Sequence, residues 1–374
     1  MNFEALTKYL DSLKDRGVPG CDLEVWVNHE PVYRHFTGES HPGKPMDGTE
    51  TYWLYSATKV FTMTAAMQLV EKGVLKLSDP VSKYLPAYAK LTVKDGDTVR
   101  PAKTVMTLEN LMAMQSGLDY DLQSPAILAC VEKYGAKVTT VQLAEAFAEN
   151  PLNFDPGTHF LYSLSHDVVG AIIEVASGMP FGEYVRKNII EPLGMKTMTF
   201  HPTEEHFARM AARYHWDEDL NPIPEPNAKN PYDLAELYES GGAGLVGDVS
   251  SYILLADALA NGGVGRNGAR ILSQESIDNM RTNRALGVRG EDFDTLCNKF
   301  GYGYGLGVRT LIHKETSRSP LGEFGWDGAA GAWTMADPDN HIAAYFGMHV
   351  LNCGLAYEKY HPTIRDLIYE GLNA

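Results

Sequence analysis

Cysteine is scarce in this 374-residue chain: there are four, Cys21, Cys130, Cys297 and Cys353, far apart and with no CxxC pair. That spacing shows no dense disulfide framework and predicts free thiols in a reducing compartment, with two disulfides in an exported form as the weaker alternative. Long apolar runs are also missing. No stretch reaches the roughly 18 residues needed to cross a bilayer, and no apolar core follows the start as in a signal peptide. The expectation is a cytoplasmic protein without a membrane partner. Basic residues are in deficit, 32 Lys and Arg against 48 Asp and Glu for a net charge of −16, which argues against a nucleic-acid partner because phosphate binding needs clustered cations. There is no H-E-x-x-H and no G-x-S-x-G, so neither a zincin site nor an α/β-hydrolase elbow is expected. The twelve histidines, His201 and His206 among them, show no paired ligand spacing. Gly242–Gly247 matches G-x-G-x-x-G, but the acidic segment Leu234–Ser240 before it has no strand pattern, which removes the context a dinucleotide site needs.

What is present is an ordinary globular composition, 44% hydrophobic and 21% charged, enough to bury a large core. Phe3, Leu6, Leu10 and Leu13 fall at helical spacing. Leu23, Val25 and Val27 alternate with polar residues and the pattern resumes over Pro31–Phe36, which predicts a β-hairpin. Val60, Met63, Met67 and Val70 predict a helix from Ser56 to about Lys72, with Gly73 at its C-terminal cap. Helical patches over 140–149 and 166–176 alternate with loops through residue 240, including Asn221-Pro-Ile-Pro-Glu-Pro. Strand patterns return at 305–311, and again over 332–336 and 341–348 around an Asp-Pro-Asp-Asn turn. A helix carrying Ile364, Leu367 and Ile368 ends the chain. Strands at both ends with helices between them predict an α+β fold: a discontinuous sheet domain (1–60 and 245–374), an inserted mostly helical domain (61–244), and an active site between them.

The strongest chemical signal is Ser56-Ala-Thr-Lys59, an S-x-x-K at the start of that helix. Residues three apart share a helical face, so the Lys59 amine can reach the Ser56 hydroxyl. The helix N-terminus and burial would both lower the lysine pKa toward that of a base. The same four residues also fit a capping serine followed by an exposed lysine. Two features favour the catalytic reading: the motif occurs once in the chain, and Tyr55, Val60 and Phe61 make the surroundings of the lysine apolar.

Here the sequence resembles the serine β-lactamase and penicillin-binding superfamily, nearest its class C-like branch with family VIII carboxylesterases and D-aminopeptidases. The resemblance runs over nearly the whole chain. It rests on LKLSDPVSKYLP (75–86), QSGL (115–118), DPGTHFLYS (155–163), GGAGLVG (241–247), YGYGLG (302–307) and GWDGAAG (325–331), and it implies a β-lactamase/transpeptidase-like fold. The superfamily's Tyr-x-Asn stands here as Tyr162-Ser-Leu164, which implies Tyr162 as proton relay. Leu164 lacks the amide that relatives use to hold an acylamino chain. The third motif, Lys-Thr-Gly in many relatives, stands as Trp326-Asp327-Gly328. The resemblance thus makes Ser56, Lys59 and Tyr162 catalytic and the backbone N–H groups of Ser56 and Ala329 an oxyanion hole. It places Gln115, Leu164, Trp326, Asp327 and Gly328 around the substrate. Asp327 would repel a carboxylate, and it either meets a substrate amine or turns into a hydrogen-bond network.

These residues imply a serine hydrolase acting through an acyl-enzyme on small or medium carboxylic esters, with weak β-lactamase or acyl-transfer activity as an accompaniment. The alternatives are a D-stereospecific aminopeptidase, amidase or DD-peptidase-like enzyme, and a catalytically silent protein that binds peptides or cell-wall fragments. None of the three requires a metal or organic cofactor. The partner is a small-molecule ester or amide, and the oligomeric state is left open.

Overall fold

The computed structural model describes residues 1–225 and 229–374. An amphipathic helix, Glu4–Asp11, leads to the hairpin β1 (Gly20–Val27) and β2 (Glu30–His41) with a short extension, β3 (Lys44–Pro45). Strand β4 (Thr51–Trp53) runs into a 3₁₀ turn at Tyr55–Ala57 and the helix Thr58–Glu71. That helix ends where expected, on Gly73 at φ +68°, a conformation glycine adopts without a Cβ clash. The middle of the chain is largely helical, with Thr140–Phe147 and Ser165–Ser177 among its helices. It also holds two hairpins that the sequence pattern did not predict, β5 (Thr92–Asp95) with β6 (Thr98–Pro101) and β7 (Arg213–Trp216) with β8 (Pro222–Glu225). Strand β9 (Val246–Asp248) pairs with β4 and feeds the helix Val249–Ala260. The chain then lays down β10 (Tyr302–Tyr304), β11 (Arg309–Leu311), β12 (Phe324–Gly325), β13 (Trp333–Asp337), β14 (Ile342–Met348) and β15 (Val350–Leu351) before the closing helix His361–Asn373.

Both ends of the chain build one eight-stranded sheet in the order β10-β11-β12-β13-β14-β1-β2-β3. Its strand-to-strand pairings are antiparallel throughout, and β1 meets β14 with Leu23 opposite Phe346 and Val25 opposite Ala344. One face packs Leu23, Val25, Ala344 and Phe346 against Leu6 and Leu10 of the first helix and Ile364 and Ile368 of the last. The alternation in β1 suggests a wet second face, yet Asp22 and Glu24 are buried. The helix Val249–Ala260 covers that face, and the acids are satisfied in place, Asp22 by Arg34 at 2.8 Å and Glu24 by the Trp26 indole at 2.7 Å.

Two segments differ from expectation. The 305–311 stretch is not one strand: Gly305 and Gly307 turn the chain between β10 and β11, with Gly305 N–H donating to the Val308 carbonyl at 2.8 Å and Gly307 at φ +73°. Of the proline-rich stretch that begins at Asn221, residues 222–225 form β8 rather than loop, at the edge of the β15-β7-β8 sheet, where proline's missing N–H costs no ladder bond; Pro226, the last residue of that expected loop, lies outside the described residues. Among the described residues, no single helix is long and apolar enough to cross a membrane.

Because Ile364 is fully buried between the sheet and the closing helix, Ile364→Ala should lower stability by about 3 kcal/mol. Urea unfolding followed by far-UV circular dichroism checks this. A loss below about 1 kcal/mol would mean that the helix contributes little to that face.

Candidate active site

Ser56 stands at the junction of β4 and the Thr58–Glu71 helix, and the residue before it is strained. Tyr55 has φ +47°, a conformation costly for a bulky side chain. Its ring is held by an edge contact with Tyr232 and its hydroxyl accepts from Arg213 at 2.8 Å. This sharp turn sets Ser56 at the mouth of the helix. One turn on, Lys59 is fully buried, and its amine donates to Ser56 Oγ at 3.0 Å, Tyr120 Oη at 3.2 Å and the Gly242 carbonyl at 2.8 Å. Burial takes its pKa down to about 7, against the opposing pull of the Asp167 carboxylate. The amine is therefore a base near neutral pH, and it touches the hydroxyl it would deprotonate.

Three aromatic rings form a stack beside this pair. Tyr120 stacks on Tyr162 and Tyr162 on Trp326, each with ring centroids 5.6 Å apart. Lys59 Nζ lies 4.7 Å from the Tyr162 ring centroid. The Trp326 indole donates to Tyr162 Oη at 3.1 Å. Burial raises the Tyr162 phenol well above its ordinary range, despite the opposing influence of Ser56 and Trp326. Tyr162 is therefore a neutral hydroxyl rather than a phenolate.

The Trp326-Asp-Gly segment lies against the nucleophile turn. A Cβ on Gly328 would sit 2.4 Å from the Leu54 carbonyl oxygen, so a side chain is excluded by the backbone just ahead of Ser56. The segment is pinned by Gly328 N–H donating to the Ala332 carbonyl at 2.8 Å and by the Tyr357 hydroxyl, 2.9 and 3.0 Å from the Gly328 and Ala329 carbonyls. Among the described residues neither the Ser56 nor the Ala329 N–H donates to an intramolecular acceptor.

Two of the expected substrate contacts are occupied from within the protein. Asp327 is buried, with one carboxylate oxygen on Lys299 and the other on Arg309 at 3.0 Å; these cations hold its pKa at about 2 although burial alone would raise it. It joins an internal ion network, buried and with both oxygens already on cations of the protein. Gln115 is likewise engaged, its amide donating to the Arg284 carbonyl and accepting from Arg289, both at 3.1 Å. Leu164 is a buried core residue at the start of the Ser165–Ser177 helix.

Sequence reasoning did not single out Tyr120, because a tyrosine in a loop carries no spacing signal, although it sits next to the QSGL phrase. It also read Gly241–Gly247 only as a family phrase and a failed dinucleotide motif. The structure shows why the glycines are there: a Cβ on Gly242 would lie 2.6 Å from Asp167 Oδ2 and 3.3 Å from Lys59 Nζ.

The chain is similar over most of its length to known proteins. Esterase EstB of Burkholderia gladioli is 28% identical over 347 residues, covering 86% of this chain and 83% of EstB. A putative D-alanyl-D-alanine carboxypeptidase of Escherichia coli K12 is 26% identical over 368 residues, covering 90% and 80%. The solved structure of EstCE1, described as a hydrolase with promiscuous acyltransferase activity, superposes with a TM-score of 0.79 at 25% identity, covering 98% of both chains. The beta-lactamase family model matches residues 4–351, which takes in Ser56, Lys59, Tyr162 and the Trp326–Gly328 segment alike, and the chain belongs to the beta-lactamase family.

Proposed function

We propose that the protein is a serine hydrolase that cleaves small or medium carboxylic esters through an acyl-enzyme on Ser56. The observation that carries this reading is the buried Lys59 amine, 3.0 Å from Ser56 Oγ and with its pKa at about 7. Neutral Lys59 takes the hydroxyl proton as Ser56 Oγ bonds to the ester carbonyl carbon, and the resulting oxyanion accepts from the Ser56 and Ala329 N–H groups. The carbonyl then re-forms and the ester C–O bond breaks. The proton returns to the leaving alkoxide through the Tyr162 hydroxyl, whose ring centroid lies 4.7 Å from Lys59 Nζ. Water, or another acceptor alcohol, repeats the sequence in reverse roles and frees Ser56.

Three features support esters over charged peptide-like substrates. Trp326 replaces the lysine of Lys-Thr-Gly, which in relatives recognises a carboxylate. Leu164 replaces the amide of Tyr-x-Asn. Asp327 is already neutralised by Lys299 and Arg309, so recognition of a D-aminoacyl amine through it has no support. The names of EstB and EstCE1 point the same way. The carboxypeptidase-like relative keeps amide substrates as the second reading, and covalent labelling of Ser56 distinguishes both from a silent binding protein.

Hydrolysis of p-nitrophenyl butyrate and a single fluorophosphonate adduct are expected for the native protein. Ser56→Ala should abolish the adduct and lower turnover by about 10³-fold or more. A native protein that neither turns over nor labels would point to a binding protein instead. Because the neutral form of Lys59 is the active one, kcat/KM should rise as pH increases through about 7 and then level off. A flat profile across that range would remove Lys59 as the base. Asp327→Asn, which leaves two buried cations short of a counter-charge, should depress rates on p-nitrophenyl butyrate and D-alanine p-nitroanilide by similar factors. A selective loss on the amine-bearing substrate would restore Asp327 as its contact.

A further inference from the structure

Asp167 lies in the first turn of the Ser165–Ser177 helix and is completely buried. One of its oxygens, Oδ1, accepts from the Tyr238 and Ser240 hydroxyls, both at 2.6 Å, and from the Gly242 N–H at 3.3 Å. The other, Oδ2, has no hydrogen-bond partner among the described residues. A buried carboxylate without a contacting cation is expensive to keep. Its place in the fold gives it a use: the Gly242 residue whose N–H it accepts is the one whose carbonyl accepts from Lys59 Nζ at 2.8 Å. A side chain on Gly242 would fall between the two groups, 2.6 Å from Asp167 Oδ2 and 3.3 Å from Lys59 Nζ.

We propose that Asp167 is a positioning residue for Lys59: it anchors Gly242 through its N–H while the carbonyl of the same residue receives the amine, and its charge acts on the amine across that residue. The proposal rests on the acyl-enzyme reading above. The other titratable groups around Lys59 carry no charge near neutrality. Tyr120 and Tyr162, which face it from the loop after Gln115 and from the segment before the Ser165 helix, are phenols raised well above their ordinary range by burial. Tyr232, packed on Tyr120, is raised by burial as well. His166, beside Asp167 on the same helix, is pushed well below its ordinary value by burial and by Lys59. Ser56 is neutral. Asp167 is therefore the group whose field opposes loss of the lysine's burden of positive charge, and it keeps the base from being neutral too far below pH 7.

The test is the pH dependence of fluorophosphonate labelling at Ser56 and of ester kcat/KM, measured on the native protein and on two variants with opposite predicted signs. Asp167→Asn keeps the shape and the acceptor for Gly242 but removes the charge, so the acid limb should move to lower pH by about one unit. Tyr238→Phe removes a donor that shields the carboxylate and strengthens its field, so the limb should move to higher pH by a few tenths of a unit. Because the Tyr238 variant retains the buried acid, it keeps the question answerable if the asparagine variant does not fold. Limbs that stay at the native pH while rates fall equally at every pH would reduce Asp167 to a structural role and overturn the proposal. If native Ser56 itself does not label, the hydrolase reading has failed, and that outcome is distinct from a labelled enzyme whose limb ignores Asp167.

Discussion

The structure depends on keeping one lysine amine away from water. The Thr58–Glu71 helix that carries it is buried on nearly all sides, so its polar residues as well as its apolar ones lie inside. Each polar group then needs an internal partner. Thr58 Oγ1 accepts from the Leu245 N–H, Thr62 donates to the Gly241 carbonyl, and Gln68 donates to the carbonyls of Asn188 and Ile271. These bonds tie the helix to the glycine segment and the rest of the helical layer. Lys59 sits within that dry helix with its three donors met by a hydroxyl, a phenol and a carbonyl rather than by a carboxylate. Desolvation without a contacting anion is what turns a lysine into a base.

The surrounding residues follow from this constraint. A contacting anion would hold the proton on the amine, so the nearby acid is kept one peptide away and the walls are aromatic. The glycine segment 241–244 brings backbone, which has no charge, to the place where a side chain would otherwise stand. On the other side, Gly328 brings the Trp326–Ala329 segment against the backbone that leads into Ser56. Glycine on both flanks lets two backbone segments close on the nucleophile with only backbone polar groups presented to it, which suits oxyanion binding.

Much of this was legible in the sequence because it rests on local periodicity. The β1–β2 hairpin, the nucleophile helix with its Gly73 cap, the β13–β14 hairpin and the closing helix follow from residue spacing, and Ser56 with Lys59 follows from the three-residue offset on a helix. What was not legible depends on contacts between distant segments. Tyr120 reaches Lys59 across 61 residues of chain, and Asp22 and Glu24 read as solvent-facing because nothing in β1 announces the helix Val249–Ala260 that covers them. The prolines of β8 read as loop because their tolerance at a sheet edge appears only once the edge is known. Asp327 was ambiguous for the same reason: its partners Lys299 and Arg309 lie 28 and 18 residues away, and a carboxylate alone does not say which cation it meets.

Asp327 also shows how the charges are arranged about the site. Trp326 and Asp327 are neighbours on an extended segment, where consecutive side chains point to opposite sides. Trp326 joins the stack with Tyr162, while Asp327 enters a buried network with Lys299, Arg309 and, through Arg309, Glu323. Removing one member of such a network leaves the others uncompensated, a cost that far exceeds the modest value of the intact pairs. The network therefore fixes the segment on its charged side, and the side shared with Ser56 is left aromatic and neutral. A neutral wall places no charge where it would raise or lower the lysine's affinity for its proton, so control of that proton falls to burial and to the one acid beyond Gly242.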